Sequence, residues 1–307
     1  MPDGLSARND PIAGPDRLHR HLNAFNRVRL APALPTANWR ADVHRHHEAL
    51  LTEGAFLAAA RAAVAVRAAA APRTPAAFVA WFEALETDGP GQDDPLFPWL
   101  AESAGMEDMR WFLTQEIAGE AGFEDLSALT QVRMPVRPKL EIARNYWDEM
   151  GRGNAKGMHG PMLQVLTRRL DLRPDPETTV WEALALANTM AGLAANRRYA
   201  YHAIGALGII EQTAPGRAAL VARGLKRLGV SAADRHYFDV HAVLDVKHAV
   251  AWNAEAIHPL VASDPALAQP IAEGALMRLE CGAACFARYR QELDLADFER
   301  SGRYHAQ

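Results

Sequence analysis

The segment His241-Ala-Val-Leu-Asp245-Val-Lys-His248 constrains this chain more than any other. Its two imidazoles and one carboxylate stand at i, i+4 and i+7. A helix turns about 100° per residue, so these positions share one face, one turn apart. The flanks Ala242, Val243, Leu244, Val246 and Ala249 are apolar, and much of the helix is expected to be buried. Buried polar groups are costly unless they are paired or bound to a metal. Imidazole and carboxylate together suit iron, manganese or zinc.

The setting for such a helix is an ordinary globular chain. It has 307 residues, 49% hydrophobic and 23% charged, with a formal net charge of −4. That length supports one substantial core. The mild acidity argues against nucleic acid as a partner. No apolar run of the length that spans a bilayer is seen, so no membrane partner is expected. The first residues, MPDGLSARNDPIAGPDRL, lack the apolar stretch of a secretory signal. Cys281 and Cys285 lie four apart in a helical pattern and read as small core residues. A reducing, cytoplasmic location is the expectation.

Alanine, leucine, glutamate and arginine dominate, and no alternating β-type segment is present, so the chain reads as all-α. Residues 1–40 carry Pro2, Pro11, Pro15, Pro32 and Pro35 and are expected as an irregular N-terminal extension laid on the surface. Residues 41–307 are expected as a single helical domain. Helical patterns run over 41–71, 75–87, 95–104, 106–131, 137–151, 158–171, 178–194, 196–212, 215–228, 232–262 and 265–293. Pro135 and Pro138, the stretch Asp171-Leu-Arg-Pro-Asp-Pro, Pro215-Gly216 and Ser263-Asp264-Pro265 mark the breaks. Short links between long helices favour a bundle.

A bundle can hold metals at its centre with acids and histidines from several helices. Other apolar helices carry candidates. Glu149 and His159 are ten apart, which is not one face of a straight helix, but Gly151, Gly153 and Gly157 between them permit a break. Glu211 ends the run Ala203-Ile-Gly-Ala-Leu-Gly-Ile-Ile, and its plainer reading is an ion pair with Arg197, Arg198 or Arg217. Glu116 and Glu120 are i, i+4, and Glu124 continues that face. Glu120, among Gly119, Ala121 and Gly122, is preferred, with Glu116 as the alternative ligand.

The series Glu120, Glu149-x9-His159, Glu211 and His241-x3-Asp245-x2-His248 resembles the haem-oxygenase-like diiron oxidase superfamily, also described as iron-containing redox enzymes. The segments Asn196-Arg-Arg-Tyr…Gly205-Ala-Leu-Gly-Ile-Ile-Glu211 and Arg227-Leu-Gly…Phe238-Asp-Val-His241 carry the likeness, which covers roughly residues 100–290. The resemblance implies a haem-oxygenase-like multi-helix bundle without haem, holding two Fe(2+) per chain with O₂ as co-substrate. One iron would take Glu149, His159 and Asp245 or a shared carboxylate. The other would take Glu211, His241 and His248, and Glu120 would bridge or complete the site.

Such an enzyme would N-oxygenate a small amine or amino-acid-like metabolite. The alternatives are a desaturase or C–C lyase that makes an alkene from an amino acid or fatty acid, and a metal-free small-ligand-binding module. Manganese in place of one iron also fits the ligand set. Haem degradation would need an early axial histidine, and only the His44, His46 and His47 cluster offers one. Partners expected are a small-molecule substrate and an external electron donor, and a homodimer stays open. Substrate contacts are expected from Arg197 and Arg198, whose forks suit a carboxylate, and from Tyr201 and His202 before Glu211. His236 and Lys247 are expected off the ligand face.

Overall fold

The computed structural model describes residues 14–120 and 122–295, and no β-strand occurs among them. The elements are α1 (Pro15–Leu30), α2 (Trp39–Ala69), α3 (Pro75–Asp88), α4 (Leu96–Glu102), α5 (Met106–Ala118), α6 (Phe123–Thr130), α7 (Val136–Glu149), α8 (His159–Arg169), α9 (Trp181–Ala195), α10 (Ala200–Arg227), α11 (His236–Trp252), α12 (His258–Ser263) and α13 (Ala268–Glu292). The protein is an all-α haem-oxygenase-like bundle.

Helix α10 is the spine. Its run of small and branched residues leaves no position exposed from Ala200 to Pro215, and one face stays buried from there to Leu225. It packs on α11, α13 and α4. The approach to α13 is very close. Any Cβ at Gly205 would strike the backbone of Ile271, and one at Gly274 would strike the backbone of His202. Two apolar clusters flank the spine. One joins Leu57, Phe78, Phe82, Leu207, Trp252 and Ile271. The other joins Leu100, Phe112, Leu166, Leu225, Phe286 and Tyr289.

Several boundaries differ from the sequence expectation, each for a local reason. Pro215 does not split α10. The missing N–H costs one intrahelical bond, but Ala218, Val221, Ala222 and Leu225 beyond it are buried and hold the helix in line. The pattern at 106–131 divides into α5 and α6. Gly119 brings the end of α5 against Ala183, and α6 restarts after Gly122. The pattern at 232–262 divides at a π-helical turn, Asn253–Ile257. There the Asn253 amide donates to Gln212 Oε1 at 3.1 Å, and the Trp252 indole donates to Ile204 O at 3.2 Å.

The expected N-terminal extension is not irregular over α1. Residues 1–13 lie outside the described residues. Polar contacts, which periodicity does not register, bind α1 to α9 and α2. His19 stacks on Trp181 at 5.6 Å between ring centroids. Asn188 Nδ2 donates to His19 O, and Asn26 Nδ2 donates to Asn188 Oδ1, both at 2.9 Å. Arg29 forms a buried ion pair with Glu53 at 2.5 Å.

Helix α2 is, by length and composition, the one described helix that could cross a bilayer, with only 22% of its most apolar window buried. In the fold it packs on α13. Its His44, His46 and His47 are exposed. His46 meets the Phe25 ring edge-on at 4.8 Å.

Valine at Gly205 or Gly274 is expected to destabilise the protein by about 1–3 kcal/mol or more through overpacking of the α10–α13 contact. Thermal unfolding of each variant beside a surface control such as Gly216→Ala, which meets open space, checks this. Equal melting temperatures would refute the close approach.

Candidate metal centre

Four elements bring acids and imidazoles to one interior point. Glu149 ends α7, His159 opens α8, Glu211 lies mid-way along α10, and Asp245 and His248 face inward from α11. All five are buried. His241 is half-buried, one turn before Asp245. The trio on α11 shares its face as the spacing requires, but the rest of the helix is not buried as expected. Val243, Val246 and Val250 are exposed, and Lys247 and His236 also face outward.

The ten-residue gap between Glu149 and His159 is closed by a tight reversal. Two short 3-10 turns, Gly151–Gly153 and Ala155–Gly157, fold back so that Met150 and Met158 pair as an isolated antiparallel bridge. Gly151 has φ +58°, and a Cβ there would stand 2.6 Å from Met158 N. Only glycine satisfies both conditions. The reversal leaves His159 Nδ1 2.5 Å from Glu149 Oε2.

Two groups of ligand atoms result. Glu149, His159 and His241 form one, and Glu149, Glu211 and His248 form the other, each with its atoms within 4.8 Å of one another. Glu149 belongs to both. The His159 and His241 rings lie 4.4 Å apart. His248 Nδ1 is 3.4 Å from Glu211 Oε2 and 3.7 Å from Asp245 Oδ1. This grouping differs from the expected partition, which placed His241 with Glu211 and His248. The kinked reversal carries His159 under the start of α11, so the imidazole nearest to it is that of His241.

Three neighbours aim these ligands. His241 Nδ1 donates to Tyr237 O at 2.7 Å, which leaves Nε2 free to face the site. His248 Nε2 donates to Asp148 Oδ2 at 3.2 Å, which leaves Nδ1 toward Glu211. Asn145 Nδ2 donates to Glu211 Oε1 at 2.5 Å. Hydrogen bonds of this kind set the tautomer and orientation of metal-binding side chains. Sequence reasoning missed Asp148 and Asn145. Both lie on α7 within one turn of Glu149, and that proximity was the available signal.

The first-helix carboxylates separate once α5 and α6 part. Glu116 accepts a hydrogen bond from the Tyr289 hydroxyl at 2.9 Å, on the side of the cavity with Arg217 and Arg278. Glu120 stands in the α5–α6 connection and accepts from Gly122 N at 3.0 Å. Glu124, in the first turn of α6, has Oε1 3.3 Å from a Cβ position on Gly160, the residue after His159. Its charge acts on Glu149 and on His159, and the charge of Glu120 acts on Glu149 as well. Glu120 and Glu124 both line the cavity at the ligands. The i, i+4, i+8 series suggested one continuous face, which the break at Gly119–Gly122 removes.

The expected substrate contacts are occupied elsewhere. Arg197 donates to the carbonyls of Leu129 and Thr130 at 3.0 and 3.2 Å and to Val132 O. Arg198 lies over the Tyr199 ring at 5.2 Å. Tyr201 packs on the apolar core. His202 Nε2 pairs with Glu273 at 2.9 Å, and Glu273 also takes Arg61. None of the four lines the cavity at the metal ligands.

The donor set fits divalent cations. Burial and the neighbouring Glu211 push the Glu149 carboxyl up to about 9. Asp245 is pushed up by burial, Glu211 and Glu149. Burial holds His159 and His241 at about 4, and each is also opposed by the charge of a neighbouring imidazole. For His248 burial works against the charge, but Glu211, Asp148 and Asp245 outweigh it and raise the group to about 9. His159 Nδ1, Asp245 Oδ1 and His248 Nδ1 are buried and approach acid or imidazole side chains without forming a regular hydrogen bond. Proton-holding acids packed this closely on imidazoles are an arrangement that a cation would resolve.

Residues 110–283, more than half of the chain, match the iron-containing redox enzyme family. The chain belongs to that family. The matched span contains both ligand groups. No curated protein matches the chain. Membership indicates an iron-dependent oxidoreductase, and the candidate ligands are of the type that binds iron.

Two outcomes follow for this iron-containing redox enzyme. Without metal, folded Glu149 and His248 keep their protons to about 9, against ordinary values of 4.5 and 6.5. The folded state then binds more protons than the unfolded state from pH 6.5 to about 9, so stability falls as pH rises through that window. The opposing gain from His159 and His241, at about 4 when folded, is largely complete at its lower edge. Melting of chelator-treated protein should show that fall, with added Mn²⁺ stabilising most at the alkaline end; a flat profile would contradict it. Asp148→Asn is expected to weaken metal binding roughly 10–100-fold, as measured by competition with a chromogenic chelator.

Proposed function

We propose that this protein binds two Fe(2+) ions between α6, α7, α8, α10 and α11 and uses O₂ to oxidise a small organic substrate. One observation carries the reading: two three-ligand groups share Glu149 at the wall of an interior cavity. A shared carboxylate between two nitrogen- and oxygen-rich groups suits a pair of cations rather than one. In this reading His159 and His241 serve one ion, Glu211 and His248 serve the other, Glu149 spans both, and Asp245, Glu120 and Glu124 complete the set. Bound ferrous iron would supply the electrons that reduce O₂.

The reaction class we favour is N-oxygenation of a small amine or amino-acid-like metabolite. One oxygen atom enters the N–H bond to give a hydroxylamine. The other leaves as water, with two electrons and two protons from an external donor. The chain's own contribution is position and exclusion. The cavity, about 250 Å³, is lined by aromatic and aliphatic residues that limit water near the ligands. Tyr237 packs 4.1 Å from the His241 ring, and burial holds its hydroxyl protonated far into the alkaline range. It can therefore offer a proton to a polar group at the ligand end of the cavity. The apolar lining also favours a second reading, oxidation of a carbon chain to an alkene.

Anaerobic titration with ferrous iron is expected to saturate at two per chain, and saturation near zero would sink the proposal. Loss of O₂ consumption with retained helicity is expected for Glu211→Ala and His248→Ala. His236→Ala is expected to change turnover little, and equal loss in all three variants would mean the site is misplaced. Product mass spectra from amines and fatty acids then separate N-oxygenation from alkene formation.

A further inference from the structure

The cavity beside the metal ligands has a second, cationic pole. Arg217 on α10 and Arg278 on α13 line it together with Phe97, Phe112 and Phe286. The Arg217 guanidinium lies 5.4 Å from the centre of the Phe286 ring and 5.8 Å from that of Phe97. It donates Nη2 to Thr213 Oγ1 at 2.8 Å, so both the stacking and this hydrogen bond fix its direction. The buried Arg278 Nε has no hydrogen-bond partner.

The neighbouring acid does not neutralise the pair. Glu116 is the carboxylate whose charge reaches both guanidiniums, and it already accepts the Tyr289 hydroxyl. Glu120 also acts on Arg278, but neither acid makes a hydrogen bond or ion pair with either guanidinium. Burial, reinforced by Arg278, depresses Arg217 to about 9, which marks how poorly its charge is compensated. An unpaired interior charge of this kind calls for a counter-ion. A guanidinium fork matches a carboxylate in shape, and two forks beside acids already engaged elsewhere leave room for one more carboxylate.

The two poles are separated along one helix. Glu211 and Arg217 are six residues apart on α10, about 9 Å at 1.5 Å per residue. The wall of the same cavity includes the apolar side chains Ile210, Leu186, Met190, Leu163 and Val221. A molecule that spans this space needs an anionic head, an apolar middle and a reacting end at the ligands.

We propose that Arg217 and Arg278 bind the carboxylate of an elongated monocarboxylic acid, so that its far end reaches the metal ligands. The direction in which the acid lies rests on the diiron reading; the anion contact itself does not. The proposal replaces Arg197, whose donors go to backbone carbonyls, and Arg198, which lies over the Tyr199 ring; neither lines the cavity.

Calorimetric titration of metal-free protein with octanoate and with 1-octanol tests it, because the two probes differ in the charged head and share the chain. Octanoate is expected to bind at least tenfold more tightly. Arg217→Met and Arg278→Met are each expected to remove that preference while 1-octanol affinity and iron stoichiometry stay unchanged. Should a methionine variant lose helicity, Arg217→Lys and Arg278→Lys decide, with the octanoate preference reduced but present. Equal affinity for the two probes in the native protein, or an undiminished preference in the folded variants, would overturn the proposal. A clear octanoate preference in a protein that binds no iron would keep the anion pole and remove the diiron reading. Normal iron binding without the preference would do the reverse.

Discussion

The arrangement of this protein follows from one electrostatic demand: several carboxylates meet inside a bundle where water cannot screen them. Glu149, Glu211 and Asp245 are all nearly inaccessible, and burial first, then their mutual repulsion, raises the Glu149 and Asp245 carboxyls. Like charges at such spacing persist only if protons or cations stand between them. The family of the chain points to iron as that cation. A set of ligands that repel one another in its absence also explains the number of supports around it. Asn145 holds Glu211, Asp148 holds His248, and the Tyr237 carbonyl holds His241. Each support spends a hydrogen bond on direction, which is what a group of mutually repelling ligands needs to stay convergent.

The fold meets this demand by using one helix for two purposes. α10 joins both apolar clusters, so its position is fixed by burial along nearly its whole length. The polar exceptions on that helix are then held rigidly. Glu211 faces α7 and α11, and Arg217 faces the aromatic end of the same cavity. α11 is anchored differently. It rests on α10 by one side only and shows three valines to solvent. Its hold on the bundle therefore depends on the face that carries Asp245 and His248, and metal binding would couple to its stability.

Much of this was legible in the sequence because the signals were local. The His241, Asp245 and His248 spacing defines a helix face wherever the helix packs, and Glu211 stood out as an acid closing an apolar run. Glu149 and His159 were legible because the intervening glycines allow a reversal, although nothing in the spacing could say which imidazole would meet His159. The losses share a different cause. Glu116, Glu120 and Glu124 share one face as long as 106–131 is one helix, and the contact of Gly119 with Ala183 and the left-handed Gly122 end that face. α1 is held by Asn26, Asn188, His19 and Trp181, partners more than 150 residues apart that leave no periodic trace. Arg197 and Arg198 looked free because arginine forks suit carboxylates, yet in the fold backbone carbonyls and a tyrosine ring take them.

Pro215 draws these strands together. It sits between Glu211 and Arg217, where the sequence suggested a break and the structure keeps one helix. Having no N–H, it cannot serve the carbonyl of Glu211, four residues earlier. The helix therefore carries a missing rung at the point where its side chains change from anionic to cationic. Burial on both sides keeps the axis continuous, so the lost bond does not separate the two poles. A true break there would let the C-terminal half of α10 swing with α4, and Arg217 would no longer stand at a fixed distance from Glu211. The continuity that burial enforces across Pro215 is what keeps Glu211 and Arg217 on one rigid axis.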